Sequence, residues 1–172
     1  MVAGVVASLG LMTAPAEAHG PSRLKSEQSV VLNASPEEVW QAIGQFDQMD
    51  WLPGAGEIKA EGQEKGALRQ RSLEGGVTIE EELLKIQPEK FAISTRLVSD
   101  NLDYVSATNY ALHLTIKPEG DHAKVEFKGA FYRAFPQNDP PAELNDEASI
   151  AAVEALHQTM IDALVAKFGK AE

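Results

Sequence analysis

The stretch Ser35-Pro36-Glu37-Glu38-Val39-Trp40 decides the fold once it is set against the far end of the chain. Serine is a good N-cap, proline suits the first helical position, and Glu38 can reach back to the cap and close a capping box. Val39, Trp40 and Ile43 give this short helix an apolar side, and Gly44 is its expected stop. At the other end, Glu143 to Phe168 reads as one long amphipathic helix. Ile150, Val153, His157, Ile161, Leu164 and Phe168 recur at spacings of three and four, and Leu156, Met160 and Val165 widen the stripe. Between the two lies strand-and-turn sequence. One long helix closing on a curved antiparallel sheet encloses a pocket, so a binding module is the first expectation and an enzyme the second.

Working outward, Ser26 to Asn33 is the first strand, with Val30 and Leu32 alternating with polar neighbours. Phe46 to Trp51 reads as a second short helical turn, ended by Pro53-Gly54. Further strands are expected at Glu57–Glu61, Ala67–Leu73, Val77–Ile86, Phe91–Leu97, Val105–Ile116 and Ala123–Tyr132. Turns at Glu74-Gly75-Gly76, Gln87–Lys90 and Glu119-Gly120-Asp121 join them. The expected architecture is α+β: a curved antiparallel sheet of about seven strands wrapped around a long C-terminal helix, with two short helices after the first strand.

The length of 172 residues fits one domain, and an apolar content of 44% supplies a core. There are 26 acids against 15 bases, a net charge of -11. That balance argues against nucleic acid and anionic membrane surfaces, which need clustered Lys and Arg. It suits attraction to a basic protein partner. With no cysteine there is no disulfide, thiolate nucleophile or cysteine metal site.

Residues 1–18 read as a signal peptide. Val2 to Ala14 is small and apolar, and Ala16-Glu17-Ala18 matches an A-x-A cleavage pattern, although no Lys or Arg precedes the run. The run falls short of the ~20 residues a membrane span needs. Cleavage removes one acid, Glu17, and no base, so the mature charge is -10. A polar lead (19–25) and one domain (26–169) remain, with no membrane span. Export without cysteines fits a periplasm.

The order of these segments resembles the START-like helix-grip proteins (SRPBCC), which include polyketide cyclases and the birch-pollen-allergen group. Ser35-Pro36-x-x-Val39-Trp40 carries the resemblance first. Phe46-Asp47, Trp51-Leu52-Pro53-Gly54, Gly66-Ala67-Leu68-Arg69 and Glu81-x-Leu83-Leu84 add to it, with Tyr110, Phe127 and Phe131 in the last strands. A narrower likeness is to MxaD-type proteins. It rests on His19-Gly20-Pro21, Tyr132-Arg133-Ala134-Phe135 and the run Asn138-Asp139-Pro140-Pro141-x-Glu143-Leu144-Asn145-Asp146-Glu147. That likeness implies a periplasmic protein that assists electron transfer from a quinoprotein methanol dehydrogenase to its cytochrome.

The resemblance implies a cavity between sheet and helix for a small hydrophobic or amphipathic ligand. Tyr110, Leu112, Leu114, Phe127, Gly129 and Phe131 are candidate lining from the strands, Leu156, Met160 and Leu164 from the helix, and Trp51 from the loop. Each could equally be ordinary core. Arg69, Arg71, Glu80, Glu81 and Glu82 form the densest charged set. With a two-residue turn at Gly75-Gly76, Arg69 faces Glu82; with a three-residue loop it faces Glu81. Alternation puts Glu81 on the apolar face, where a carboxylate needs a partner. It is either a structural charge or a ligand anchor and general base. His157 sits in the middle of the helix's apolar stripe as a core histidine or an acid-base group. His113 is expected on the outer face, and His122 in a turn.

An N-terminal His19 offers copper an amine and a ring nitrogen, but no second histidine is near in sequence. No metal or cofactor motif is present, and no nucleophile triad is marked by spacing. The leading expectation is therefore a binding or accessory protein without catalytic residues or cofactor. The alternatives are a cyclase or dehydratase using Glu81, His157 and Arg69, and a small lipid or quinone carrier.

Overall fold

The computed structural model describes residues 20–171. The expected signal segment, its expected cleavage site and His19 lie outside the described residues. The chain runs β1 (Leu24–Leu32), α1 (Pro36–Ile43), β2 (Glu57–Ala60), β3 (Leu68–Ser72), β4 (Thr78–Gln87), β5 (Ala92–Leu97), β6 (Ala107–Glu119), β7 (His122–Arg133) and α2 (Asp146–Phe168). The strands form one antiparallel, curved, open sheet in the order β1-β7-β6-β5-β4-β3-β2. Helix α2 packs across β1, β7 and β6. No helix among the described residues is long and apolar enough to cross a membrane.

The period-2 pattern explains the core side of the sheet. Leu112, Leu114 and Ile116 of β6 and Val125, Phe127, Gly129 and Phe131 of β7 are buried, while the residues that alternate with them are not. A bulge between Thr108 and Ala111, with Asn109 at φ 52, lets Ala107 and Tyr110 both point inward although three positions separate them. Asp100 accepts a 2.6 Å hydrogen bond from the Asn109 amide and holds the kink.

The capping box at α1 is present: Glu38 N–H donates to Ser35 Oγ, and Glu38 Oε2 accepts from the Ser35 amide at 2.8 Å. Helix α2 starts at Asp146 rather than Glu143. Asn145 caps it by accepting from Ala148 N–H at 2.8 Å, and Ala142–Leu144 form a separate single turn behind Pro140-Pro141.

The second short helix expected at Phe46–Trp51 does not form, so one helix, not two, follows β1. Only isolated turns occur there, such as Leu52 N–H to the Met49 carbonyl at 2.9 Å. Phe46, Met49, Trp51 and Leu52 are all buried, and that spacing does not follow one helical face. The segment folds inward as an irregular plug instead.

Candidate functional site

The polar centre of the molecule is built by the β3–β4 hairpin. Glu74–Gly76 forms a tight turn with Gly75 and Gly76 both at φ 82, a conformation glycine adopts without strain. This sets the three-residue register, so Arg69 faces Glu81 across the strands and the Arg69–Glu82 pairing is excluded. Arg69, Arg71 and Glu81 are all on the core side and all buried.

Glu81 Oε2 accepts from both guanidiniums, from Arg69 Nε at 3.0 Å and Arg71 Nε at 2.8 Å, with Arg69 Nη2 also 2.8 Å away. Arg69 Nη1 donates to the Phe46 carbonyl at 2.8 Å and stacks over the Phe46 ring. Arg71 Nη2 donates to the Tyr104 hydroxyl at 2.8 Å. Burial lowers the Arg69 pKa, opposed by Glu81, whereas for Arg71 the attraction of Glu81 and Tyr104 outweighs burial. Burial raises the Tyr104 hydroxyl, so the phenol is neutral.

A cavity of about 30 Å³ lies against this cluster, with Arg69 and Glu81 on its wall. It has room for about two water molecules. Leu112, Leu114 and Ile93 of the sheet, Met160 of α2, and Met49 and Trp51 of the plug supply the apolar wall. Gln45, Gln48 and Thr95 supply neutral polar groups. The space between sheet and helix is thus almost filled by side chains, with the plug and the charged cluster occupying what would otherwise be a larger cavity.

Of the candidate lining residues, Trp51, Arg69, Glu81, Leu112, Leu114 and Met160 meet at this cavity. Tyr110, Phe127, Phe131, His157 and Leu164 do not; they are packed in the core. Leu156 is half-buried on α2 and also lies off the cavity wall. Gln45, Gln48, Met49 and Thr95 were not anticipated. The first three come from the irregular plug, which has no periodicity to betray its direction. Tyr104 reaches Arg71 from a loop 33 positions away, a contact no local pattern signals.

His157 is wholly buried, and its Nε2 is 2.9 Å from the Tyr110 hydroxyl. Its Nδ1 has no partner, and burial pushes its pKa down to about 4. Burial also pushes the Tyr110 hydroxyl well above the usual tyrosine range. His113 is half-buried on the outer face, where it bonds Ser94 and Thr115. Among the described residues no group of three or more His, Asp or Glu side chains is placed to hold a metal.

A long C-terminal helix gripped by a seven-stranded curved sheet, with a short helix after the first strand, defines the helix-grip (SRPBCC) class of proteins. The chain belongs to the polyketide cyclase / dehydrase and lipid transport family, which matches residues 23–169. Among solved structures it is similar to the protein XoxI from Bacillus cereus, at 26% identity and TM-score 0.69, covering 84% of this chain and 94% of that one. A protein from Nitrosospira multiformis is similar at 23% identity and TM-score 0.66, covering 84% and 96%. Norcoclaurine synthase from Thalictrum flavum, in complex with dopamine and hydroxybenzaldehyde, shares the fold at 15% identity and TM-score 0.62, covering 94% and 96%. No curated protein matches the chain.

Proposed function

We propose that this is an exported helix-grip binding protein without catalytic chemistry of its own, working in the periplasm beside a basic partner protein. The observation that carries this reading is the separation of its two candidate acid-base groups. Glu81 is clamped by two guanidiniums and His157 is paired with Tyr110 away from the cavity. A general acid or base must come within hydrogen-bond reach of its substrate, and a pair of them must share one site. Glu81 stands on the cavity wall with its Oε2 already taken by two arginines, and His157 lies off that cavity, so the two do not share one site, which weakens the cyclase or dehydratase reading. A cavity of about 30 Å³ also has no space for a lipid or quinone ring, which weakens the carrier reading.

The partner we propose is the methanol dehydrogenase and cytochrome system, on the strength of the MxaD-like run from Tyr132 to Glu147 and the acidic balance of the chain. In this run Arg133 donates to the Phe135 carbonyl at 2.7 Å and the Gln137 carbonyl at 2.8 Å, and the Ala134 amide donates to Ser149 Oγ at 3.0 Å. These bonds present Pro136 to Asp139 as a fixed, exposed loop. An acidic protein docking on a basic one associates faster at low salt. The test is co-purification from a periplasmic extract at low and high ionic strength. The dehydrogenase or its cytochrome should be retained at low salt and released at high salt. Retention of neither, together with turnover of a small substrate by the isolated protein, would overturn the proposal.

A further inference from the structure

We infer that the end of the sheet carrying the β3–β4, β5–β6 and β7–α2 connections is the face on which a basic partner protein docks. The inference rests on the partner reading above and names the surface. The strand order brings these three connections together at one end. Val98 N–H donates to the Glu80 carbonyl at 2.9 Å and Asn101 Nδ2 to the Thr78 carbonyl at 3.3 Å, which ties the β5–β6 connection to the start of β4. On its other side Ala107 faces Arg133 at the end of β7. Within this connection Val98 and Leu102 are 45% and 48% exposed, and among the described residues they are the large apolar side chains left most open to water. The loop that carries them is fixed. The Asn101 carbonyl accepts from the Tyr104 and Val105 amides, both at 3.1 Å, and Asn101 Oδ1 accepts from the Asp103 amide at 3.0 Å. Two apolar side chains held in water by a bonded loop mark a contact site, and a loop already fixed loses little freedom on docking.

Charge says what covers this face. The three connections (73–77, 98–106 and 134–144) carry Glu74, Asp100, Asp103, Asp139 and Glu143 and no Lys or Arg. All five acids are exposed. Arg133 beside them is engaged by the Phe135 and Gln137 carbonyls. The turns at the opposite end of the sheet mix the signs instead: Glu89 adjoins Lys90, and Glu119 and Asp121 lie between Lys117 and Lys124. The acidic balance of the chain is therefore one-sided here, around the two exposed apolar side chains. The complementary surface is an apolar depression rimmed by lysine and arginine on another protein. Apolar contact at the centre slows release, and the ring of carboxylates steers the approach.

The experiment titrates the purified, isotope-labelled protein with purified methanol dehydrogenase and, separately, with its cytochrome at low salt, and follows the amide signals by NMR. The amides of 98–103 and 136–139 should shift or broaden, while those of Pro88–Lys90 at the opposite end stay in place. Binding kinetics then separate charge from apolar contact. Glu74→Lys with Asp103→Lys should slow association by about ten-fold and flatten its salt dependence. Glu89→Lys with Glu119→Lys changes the net charge by the same amount at the far end and should slow association far less. Val98→Ser with Leu102→Ser should speed dissociation by about ten-fold and leave the salt dependence unchanged. Binding that perturbs another face, or equal slowing by the two charge reversals, would overturn the docking face and leave the partner reading standing. Perturbation of the same amides on raising the concentration of the protein alone would assign the face to a second copy and overturn the inference too. Binding of neither probe would remove both readings.

Discussion

The Tyr110 hydroxyl and His157 Nε2 lie 2.9 Å apart and tie β6 to the middle of α2. The imidazole is wholly buried, with the Phe127 ring centroid 5.8 Å from its own. Its other nitrogen, Nδ1, has no partner. A charged imidazole is poorly accommodated there, and desolvation is the cause of its depressed pKa, about 4.

This makes His157 one source of acid sensitivity. Above about pH 6.5 the histidine is neutral in both folded and unfolded chains, and its contribution is complete. As pH falls, the unfolded chain takes up the proton first, while the folded protein resists until about pH 4. Stability is lost through that window, by on the order of 3 kcal/mol, and the loss levels off below it. Replacing both partners, His157→Leu with Tyr110→Phe, should be nearly neutral at pH 7.5, since no unpaired group remains. Denaturant melts from pH 7.5 to 4 should show a shallower decline in the double variant than in the parent. Parallel declines would show that His157 is not the titrating group.

Glu81 and Glu82 are neighbours in sequence with opposite fates. Glu81 sits between two buried arginines, whereas Glu82 pairs at 2.6 Å with Arg96, whose side chain is 54% exposed. Glu81→Gln leaves two buried guanidiniums without a carboxylate and should cost about 3–5 kcal/mol. Glu82→Gln should cost less than about 1 kcal/mol, and less still in high salt. Equilibrium unfolding of the two variants, with and without salt, measures the contrast. Equal costs would mean that water reaches the inner cluster.

What the amino-acid order made legible was whatever repeats or caps. Ser35 with Glu38 marked α1, the three-four spacing from Ile150 to Phe168 marked α2, and alternation placed Glu81 on the inner face. The hairpin register stayed ambiguous because a one-residue change in loop length re-pairs every residue, and only the turn geometry at Gly75-Gly76 decides it. The cavity was legible only in part. Met160 and Leu112 follow from periodicity, but Gln45, Gln48 and Met49 belong to a segment that is neither helix nor strand. Its path is set by long-range packing of Phe46 and Trp51, which fill space that the helix-grip pattern alone leaves open.

The cap at α1 gives a direct test of one of these readings. Ser35 Oγ accepts from the Glu38 amide, and Glu38 Oε2 answers with bonds to Ser35 N at 2.8 Å and Oγ at 2.9 Å. The Ser35 amide holds the Glu38 carboxyl below its usual range. Helix α1 has only 8 residues yet places Val39 and Ile43 in the core, so fraying its first turn loosens that packing. Ser35→Ala should cost about 1 kcal/mol, seen as a Tm lower by about 2–4 °C. Ser35→Asp should recover most of it. An unchanged Tm in Ser35→Ala would show that tertiary packing alone holds the helix.

Gly129 fixes how closely α2 approaches the sheet. It lies on β7 between Ser26 of β1 and Leu112 of β6. A Cβ there would stand 3.0 Å from Val153 Cγ1 and 3.1 Å from His157 Cε1. Both neighbours are wholly buried and have nowhere to retreat. Gly129→Ala should therefore destabilise by overpacking, by about 1–3 kcal/mol. Trimming the neighbour with Val153→Ala has its own cavity cost, but it makes room for the new methyl group. The double variant should then be more stable than the sum of the two single costs predicts, with a coupling of about 0.5–3 kcal/mol. A thermodynamic cycle over the four proteins reads that coupling. Strict additivity would mean that helix and sheet do not touch at this point, and the close seating of His157 over Tyr110 would lose its footing with it.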